Sequence, residues 1–252
     1  MQKSFLNRET PLLTVMLQCE TPEVAIGRIR NANMLGAESY GLQIESLKPE
    51  YHNEETYKKI FAEMGNRPCY ITQYRGKNNL GLTDEQLAEK LIVAAKSGAV
   101  LCDIMGDMFC KHPEELTDNA DAIKKQMELI DRLHGMGAEV LMSSHLYKYA
   151  PAERVLEIAL EQKRRGADII KIVTFANNME QQIENLKITN LLKNELGAPF
   201  LFLSGGECSI HRRLGITLGC SMALCVYEHD HLSTPTQPLL SVMKNLRDNI
   251  DF

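Results

Sequence analysis

Gly166-Ala167-Asp168-Ile169-Ile170-Lys171-Ile172-Val173-Thr174-Phe175 is the stretch on which the fold turns. A Gly in this position closes an amphipathic helix in a left-handed conformation. The run behind it is short and apolar on both faces, which marks a strand buried in a parallel sheet. The same order of Gly, small residue and apolar run recurs at Gly36-Ala37, Gly98-Ala99, Gly137-Ala138, Gly197-Ala198 and Gly219-Cys220. Two further runs, Leu12–Leu17 and Pro68–Tyr74, bring the strands to eight, near 11–18, 40–47, 68–74, 100–106, 138–144, 168–175, 199–204 and 220–227. Eight alternations of strand and helix predict closure into one α/β unit, a single (β/α)8 TIM barrel over residues 1–252, rather than an open sheet.

Helix starts support this reading. Thr21-Pro22-Glu23, Thr83-Asp84-Glu85, Thr117-Asp118 and Pro151-Ala152-Glu153 each place a capping oxygen or a first-turn proline before acidic residues. No Pro/Gly/Ser-rich linker divides the chain, and 252 residues suit one barrel.

Composition narrows the function classes. The chain is 44% hydrophobic and 24% charged with a net charge of -5, both signs interspersed, which argues against a nucleic-acid-binding face. The nearest basic cluster, Lys163-Arg164-Arg165, lies in the last turn of a helix and reads as a solvated, dipole-complementing end. No stretch approaches the ~18–20 apolar residues of a membrane span, and Met1–Thr10 lacks a signal-peptide core, so a cytoplasmic protein without membrane partners is expected. Seven cysteines without CxxC spacing predict neither a disulfide framework nor a zinc site. There is no GxGxxG opening a helix after the first strand and no GxxxxGK[ST], so hydride and phosphoryl transfer lack their phosphate cradle. His229 and His231 flank Asp230 but read as a polar loop near the barrel mouth, and Cys208 reads as ordinary first-turn packing.

Chemistry in such a barrel gathers at the carboxyl ends of the strands. Lys171 interrupts the apolar run ADIIKIVTF, where a lysine is costly to bury unless paired, neutralised or used covalently. A desolvated amine is the form that attacks a ketone to make an imine. The plainer alternative is a lysine snorkelling to the barrel end. His145 ends the strand EVLMSSH one strand away, where an imidazole can move protons near neutral pH.

Met142-Ser143-Ser144-His145, followed by Gly166-Ala167-Asp168-Ile169-Ile170-Lys171-Ile172, resembles the type I 3-dehydroquinate dehydratase family. LSGGECSIHRRLG is similar to that family's carboxylate-arginine segment, and the resemblance implies this role for Arg213. LSTPTQP is similar to its lid loop, implying substrate contacts for Ser233 and Gln237.

The amino-terminal half departs from the family pattern. On the second strand the family's E-x-R-x-D is replaced by Gln43-Ile44-Glu45-Ser46-Leu47, which leaves Gln43 and Glu45 as substrate-binding candidates without the arginine. On the third, ITQYRG offers Arg75 only with a one-residue slip, since Tyr74 falls at the family's arginine. On the fourth, Met105 stands where the family places a glutamate behind the catalytic histidine, and Asp107 is the candidate supporting acid, with Asp103 a second.

The resemblance implies that Lys171 forms a Schiff base with a cyclic hydroxyketo acid and that His145 shuttles protons. For 3-dehydroquinate, loss of water gives 3-dehydroshikimate, with neither metal nor organic cofactor. Such barrels also admit a homodimer. Two alternatives stand beside this: a Schiff-base lyase or aldolase acting on another carboxylate-bearing ketone, and a non-catalytic ligand-binding barrel.

Overall fold

The computed structural model describes residues 3–250. Strands β1 (Leu12–Leu17), β2 (Ser39–Gln43), β3 (Cys69–Thr72), β4 (Leu101–Met105), β5 (Glu139–His145), β6 (Ile169–Phe175), β7 (Phe200–Gly205) and β8 (Met222–Cys225) alternate with helices α1 (Pro22–Met34), α2 (Glu54–Glu63), α3 (Asp84–Lys96), α4 (Ala120–His134), α5 (Ala152–Arg164), α6 (Met179–Glu195), α7 (His211–Leu214) and α8 (Leu240–Arg247). The strands form one sheet in the order β7-β6-β5-β4-β3-β2-β1-β8, and every strand pair is parallel. The β7–β8 seam is bridged by Ser221 N–H donating to Phe200 O at 2.9 Å, so the sheet closes into the predicted (β/α)8 barrel. Among the described residues no helix is long and apolar enough to cross a membrane.

The six helix-closing glycines behave as read: φ is positive at each, from 57° at Gly197 to 119° at Gly219. Caps also form as expected at Thr21 and Thr83, the latter in a reciprocal capping box with Gln86. Two starts differ. α4 begins after Asn119, whose side chain accepts from Ala122 N, because Thr117 is tied into the preceding loop. At α5 Pro151 occupies the cap position itself and supplies no capping side chain.

Alternate strand residues face the barrel interior. Leu12, Leu101, Leu141, Ile169, Leu201 and Met222 pack there with Phe5, which the segment before β1 delivers to the barrel floor. Glu139 holds that segment by accepting from Phe5 N at 2.8 Å. Burying Phe5 to 2% exposure stabilises the floor by about 1.5–3 kcal/mol. The opposite strand faces, with Val15, Leu42, Ile71, Cys102 and Val140 among them, pack under the helices. Apart from the hydroxyl pair of Thr14 and Ser39 and from Glu139, the floor is filled by apolar side chains, and the cluster of ionisable interior residues lies toward the carboxyl ends.

Arg165 does not lie on a solvated helix end as the sequence suggested. It is 2% exposed. Its Nη1 donates to Gly106 O at 3.0 Å and to Gln126 Oε1 at 2.8 Å, and its Nη2 donates to Thr117 O at 2.6 Å. One guanidinium thereby gathers both ends of the β4–α4 loop, residues 106–119.

Candidate active site

Lys171 projects from the middle of β6 into the barrel, where its register partner on β5 is Ser143. Its Nζ lies 3.0 Å from Asp103 Oδ2, 2.9 Å from Tyr70 Oη and 2.5 Å from Tyr74 Oη, so each ammonium N–H has an acceptor. The pair is deeply buried, with side-chain exposures of 4% for Lys171 and 0% for Asp103. The Asp103 carboxylate also accepts from both tyrosine hydroxyls and from Ser143 Oγ at 2.6 Å. Lys171 is therefore neither a snorkelling lysine nor unpartnered. Burial, reinforced by the Asp103 charge, holds Tyr70 and Tyr74 well above the ordinary phenol range, so both stay protonated.

His145, two residues beyond Ser143 on β5, stands toward the mouth of the same face. Its Nδ1 is 2.7 Å from Glu115 Oε2, and that oxygen also accepts from the backbone N–H of His145 at 3.0 Å. The acid behind the imidazole is thus Glu115, from the β4–α4 loop. Asp107 does not fill this role: it accepts from Arg75 Nη1 at 2.7 Å and from His112 N at 2.9 Å. Asp103 is committed to Lys171. Glu115 is held in place by its own backbone: φ is 45°, its N–H donates to His112 O, and its carbonyl accepts from Ser144 Oγ at 2.8 Å.

Two adjoining cavities of about 410 Å³ each open at this end of the barrel and share Gln43, Tyr74, His145, Tyr147, Thr234 and Pro235. The deeper one reaches Lys171, Tyr70, Arg212 and Gln237, and the outer one is bordered by Glu45, Met105, Glu115 and Ser233. Their size matches a small-molecule site.

Arg213 was expected to bind a carboxylate, but it turns away from the cavity and its Nη1 reaches only Ser209 O, at 3.5 Å. Its neighbour Arg212 faces the cavity instead. Arg212 Nε donates to Ser204 O at 3.0 Å, and among the described residues no acceptor takes up its Nη1 or Nη2. Burial pushes its pKa down to about 10, so at neutral pH it remains a cation. The polar face of α6 supports this placement, with Asn185 Nδ2 donating to Ser204 Oγ at 3.0 Å.

The remaining expected residues divide. Gln43, Glu45 and Met105 border the cavities, and Glu45 is 2% exposed with both carboxylate oxygens accepting from Thr72 Oγ1 at 3.0 and 2.9 Å. Burial pushes the Glu45 carboxyl above its usual range. Arg75 touches the outer cavity, but its guanidinium is taken up by Asp84 at 2.6 Å and Asp107 at 2.7 Å, which leaves it no free fork for a ligand. Tyr74 occupies the interior position that Arg75 vacates. Ser233 closes a turn with Asp230, whose carboxylate pairs with Arg28, and Gln237 is 4% exposed with its Oε1 unpartnered among the described residues. His229 donates to Gln237 O at 2.8 Å, so the His-Asp-His segment braces the loop that carries Gln237.

The type I 3-dehydroquinase family model matches residues 13–250. A 3-dehydroquinate dehydratase of Alkaliphilus oremlandii is 30% identical over 135 residues, 52% of this chain and 51% of that protein, so the match spans about half of its length. One from Geobacillus thermodenitrificans is 24% identical over 196 residues, 76% of this chain and 70% of that protein. The solved structure of 3-dehydroquinate dehydratase from Geobacillus kaustophilus superposes with a TM-score of 0.82 at 15% identity, covering 98% of this chain and 94% of that one. The type I enzyme from Clostridium difficile, solved with covalently modified comenic acid, gives a TM-score of 0.81 at 16% identity, covering 99% and 98%. At these identities the two structures speak for the fold.

Proposed function

The chain belongs to the type I 3-dehydroquinase family, and from that premise we propose that it dehydrates 3-dehydroquinate, or a closely related cyclic hydroxyketo acid, through an imine on Lys171. The observation that carries this reading is the pairing of Lys171, at the base of the inner cavity, with a His145–Glu115 dyad at its rim. An amine that forms the imine and a base that removes the adjacent proton then act on neighbouring atoms of one bound ketone.

In this reading Lys171 Nζ adds to the ketone carbon and the resulting iminium acidifies the neighbouring C–H. His145 removes that proton through Nε2, because Glu115 occupies Nδ1. The electron pair then expels the β-hydroxyl, which leaves as water with a proton from the imidazolium. Water hydrolyses the iminium and frees the enone. Arg212 binds the substrate carboxylate through its free Nη1 and Nη2, taking the role that the sequence gave to Arg213, while Ser233 and Gln237 lie over the mouth. This is carbon–oxygen lyase chemistry, and its product belongs to aromatic amino-acid precursor synthesis.

A specific observation also favours a second reading within the same chemistry. Glu45 stands where the family pattern has an arginine, Leu47, where it has an aspartate, is fully buried in the hydrophobic core, and Arg75 is locked to two aspartates. Hydroxyl recognition therefore falls to Gln43, Glu45 and Lys77, of which Lys77 Nζ donates to Gln43 Oε1 at 3.0 Å. A carboxylate-bearing ketone with a different hydroxyl pattern fits these groups.

The deciding experiment is borohydride trapping with 3-dehydroquinate and a panel of keto acids, read by peptide mass spectrometry and by absorbance of the conjugated enone. An adduct on Lys171 with enone formed from 3-dehydroquinate supports the first reading, and an adduct with only another keto acid supports the second. No adduct with any of them overturns both and leaves a ligand-binding barrel.

A further inference from the structure

Lys171 Nζ lies between two tyrosine hydroxyls that differ in one respect. Tyr70 is fully buried, whereas Tyr74 is partly exposed, borders both cavities and meets the His145 ring edge-on at 5.2 Å. Both hydroxyls contact Lys171 Nζ and Asp103 Oδ2. Both tyrosines line the inner cavity, and of the two only Tyr74 also borders the outer one, so it alone extends from the buried ion pair to the His145 side of the space in which a ketone would sit. His145 Nδ1 is bound to Glu115, and no direct contact links the imidazole to Lys171 among the described residues.

Resting on the imine reading above, we propose that Tyr74 is a second catalytic proton carrier, which with Asp103 serves the steps at nitrogen while His145 serves those at carbon. Lys171 passes one ammonium proton to Asp103, and the freed lone pair forms the N–C bond as the carbonyl π pair moves to oxygen. Tyr74 gives its phenolic proton to that oxygen and is reprotonated from Asp103. A second proton leaves nitrogen by the same route, protonates the carbinolamine hydroxyl, and water departs as the nitrogen lone pair forms C=N. Both protons lost from the ammonium end in that water, the third stays on the iminium, and no outside acid or base is consumed. Hydrolysis runs the sequence backwards. Burial favours the neutral phenol at each resting stage, as a relay that ends where it began requires.

The test compares Tyr74→Phe with Tyr70→Phe, each removing one hydroxyl from the same ion pair. Rapid-quench borohydride trapping with 3-dehydroquinate and the keto-acid panel measures imine formation, and absorbance measures enone formed per trapped adduct. Tyr74→Phe is expected to slow trapping at least about tenfold, as loss of a positioned proton carrier does, with the enone yield per adduct unchanged and Tyr70→Phe much less affected. Equal slowing in both variants would assign the effect to disturbance of the ion pair, and a parallel fall in enone yield would assign it to packing. Either outcome, or trapping at the wild-type rate in Tyr74→Phe, overturns the relay while the imine reading stands. Absence of any adduct in the wild-type protein overturns that reading and the relay together.

Discussion

Glu115 Oε2 receives both the ring N–H and the backbone N–H of His145, at 2.7 and 3.0 Å. One oxygen thus sets the tautomer, leaves Nε2 toward the cavity and ties the ring to its own strand. The carboxylate comes from a loop 30 residues upstream in the chain rather than from the strand beside the histidine. A base oriented in this way needs the charge as well as the hydrogen bond, because the imidazolium it forms is stabilised by the anion behind it.

Glu115→Gln separates these contributions, since the amide oxygen can still accept from His145. Turnover is expected to fall on the order of 10²-fold, with trapping of the Lys171 adduct retained. Enone absorbance and adduct mass, measured on the same sample, check this. Loss of trapping in parallel with turnover would place Glu115 in imine formation instead.

Arg165 acts on the same loop at a distance. Its guanidinium binds Gly106 O and Thr117 O on either side of Glu115, and Gly106 has no room for a side chain because a Cβ there would lie 2.4 Å from Glu115 O. Arg165→Met leaves the buried Thr117 O and Gln126 Oε1 without the donor that holds them, and is expected to destabilise the protein by about 2–5 kcal/mol and to lower turnover in the sense of Glu115→Gln. Arg164→Met, at a side chain 59% exposed, is expected to stay within about 0.5 kcal/mol of wild type. Urea unfolding of the two variants provides the comparison, and equal midpoints would remove Arg165 from this role.

The contrast between these two adjacent arginines shows where the sequence was legible. Strands, barrel closure and the places of Lys171 and His145 followed from periodicity and from Gly-closed helices, because burial of a parallel strand leaves a local trace. Glu115 left none: its partnership depends on how a 14-residue loop folds back, and the sole hint was the length of that loop at the catalytic end of the barrel. The arginine that faces the cavity, Arg212, lies one position from the one the sequence suggested, because two arginines stand side by side and the turn of α7 decides which one faces inward. Asp103 was weighed as a partner for His145 and proved to be the partner of Lys171, since residues 101, 103 and 105 share one face of β4 and the middle layer is nearer the lysine.

Arg212 and Arg213 can be told apart by binding. Arg212→Gln removes the charged fork that faces the cavity and is expected to weaken carboxylate substrate binding by about 1.5–3 kcal/mol, roughly 10- to 150-fold. Arg213→Gln is expected to leave KM unchanged. Steady-state kinetics on both variants checks this, and a rise in KM confined to Arg213→Gln would restore the assignment that the sequence suggested.

His211 predicts a pH dependence of stability independent of the chemistry. It is fully buried, with Phe202 edge-on at 5.3 Å. Thr189 gives its hydroxyl proton to Asn185 O at 2.7 Å, so at the 2.7 Å contact with His211 the imidazole Nε2–H must donate, leaving Nδ1 unpartnered among the described residues. Burial, aided by the Arg212 charge, pushes the pKa from 6.5 down to about 4. Between about 4 and about 6.5 the unfolded chain therefore holds more of this proton than the folded one, so stability rises with pH. The contribution is complete above about pH 6.5 and is lost as pH falls toward about 4. His211→Gln retains a donor for Thr189 and removes the titration. From about pH 7 to about pH 5 the wild-type protein should lose roughly 2 kcal/mol relative to the variant in urea unfolding. Parallel pH profiles for the two proteins would mean that the folded state admits the proton at His211, through water or a shift of α7, and that the imidazole is not sealed behind Arg212.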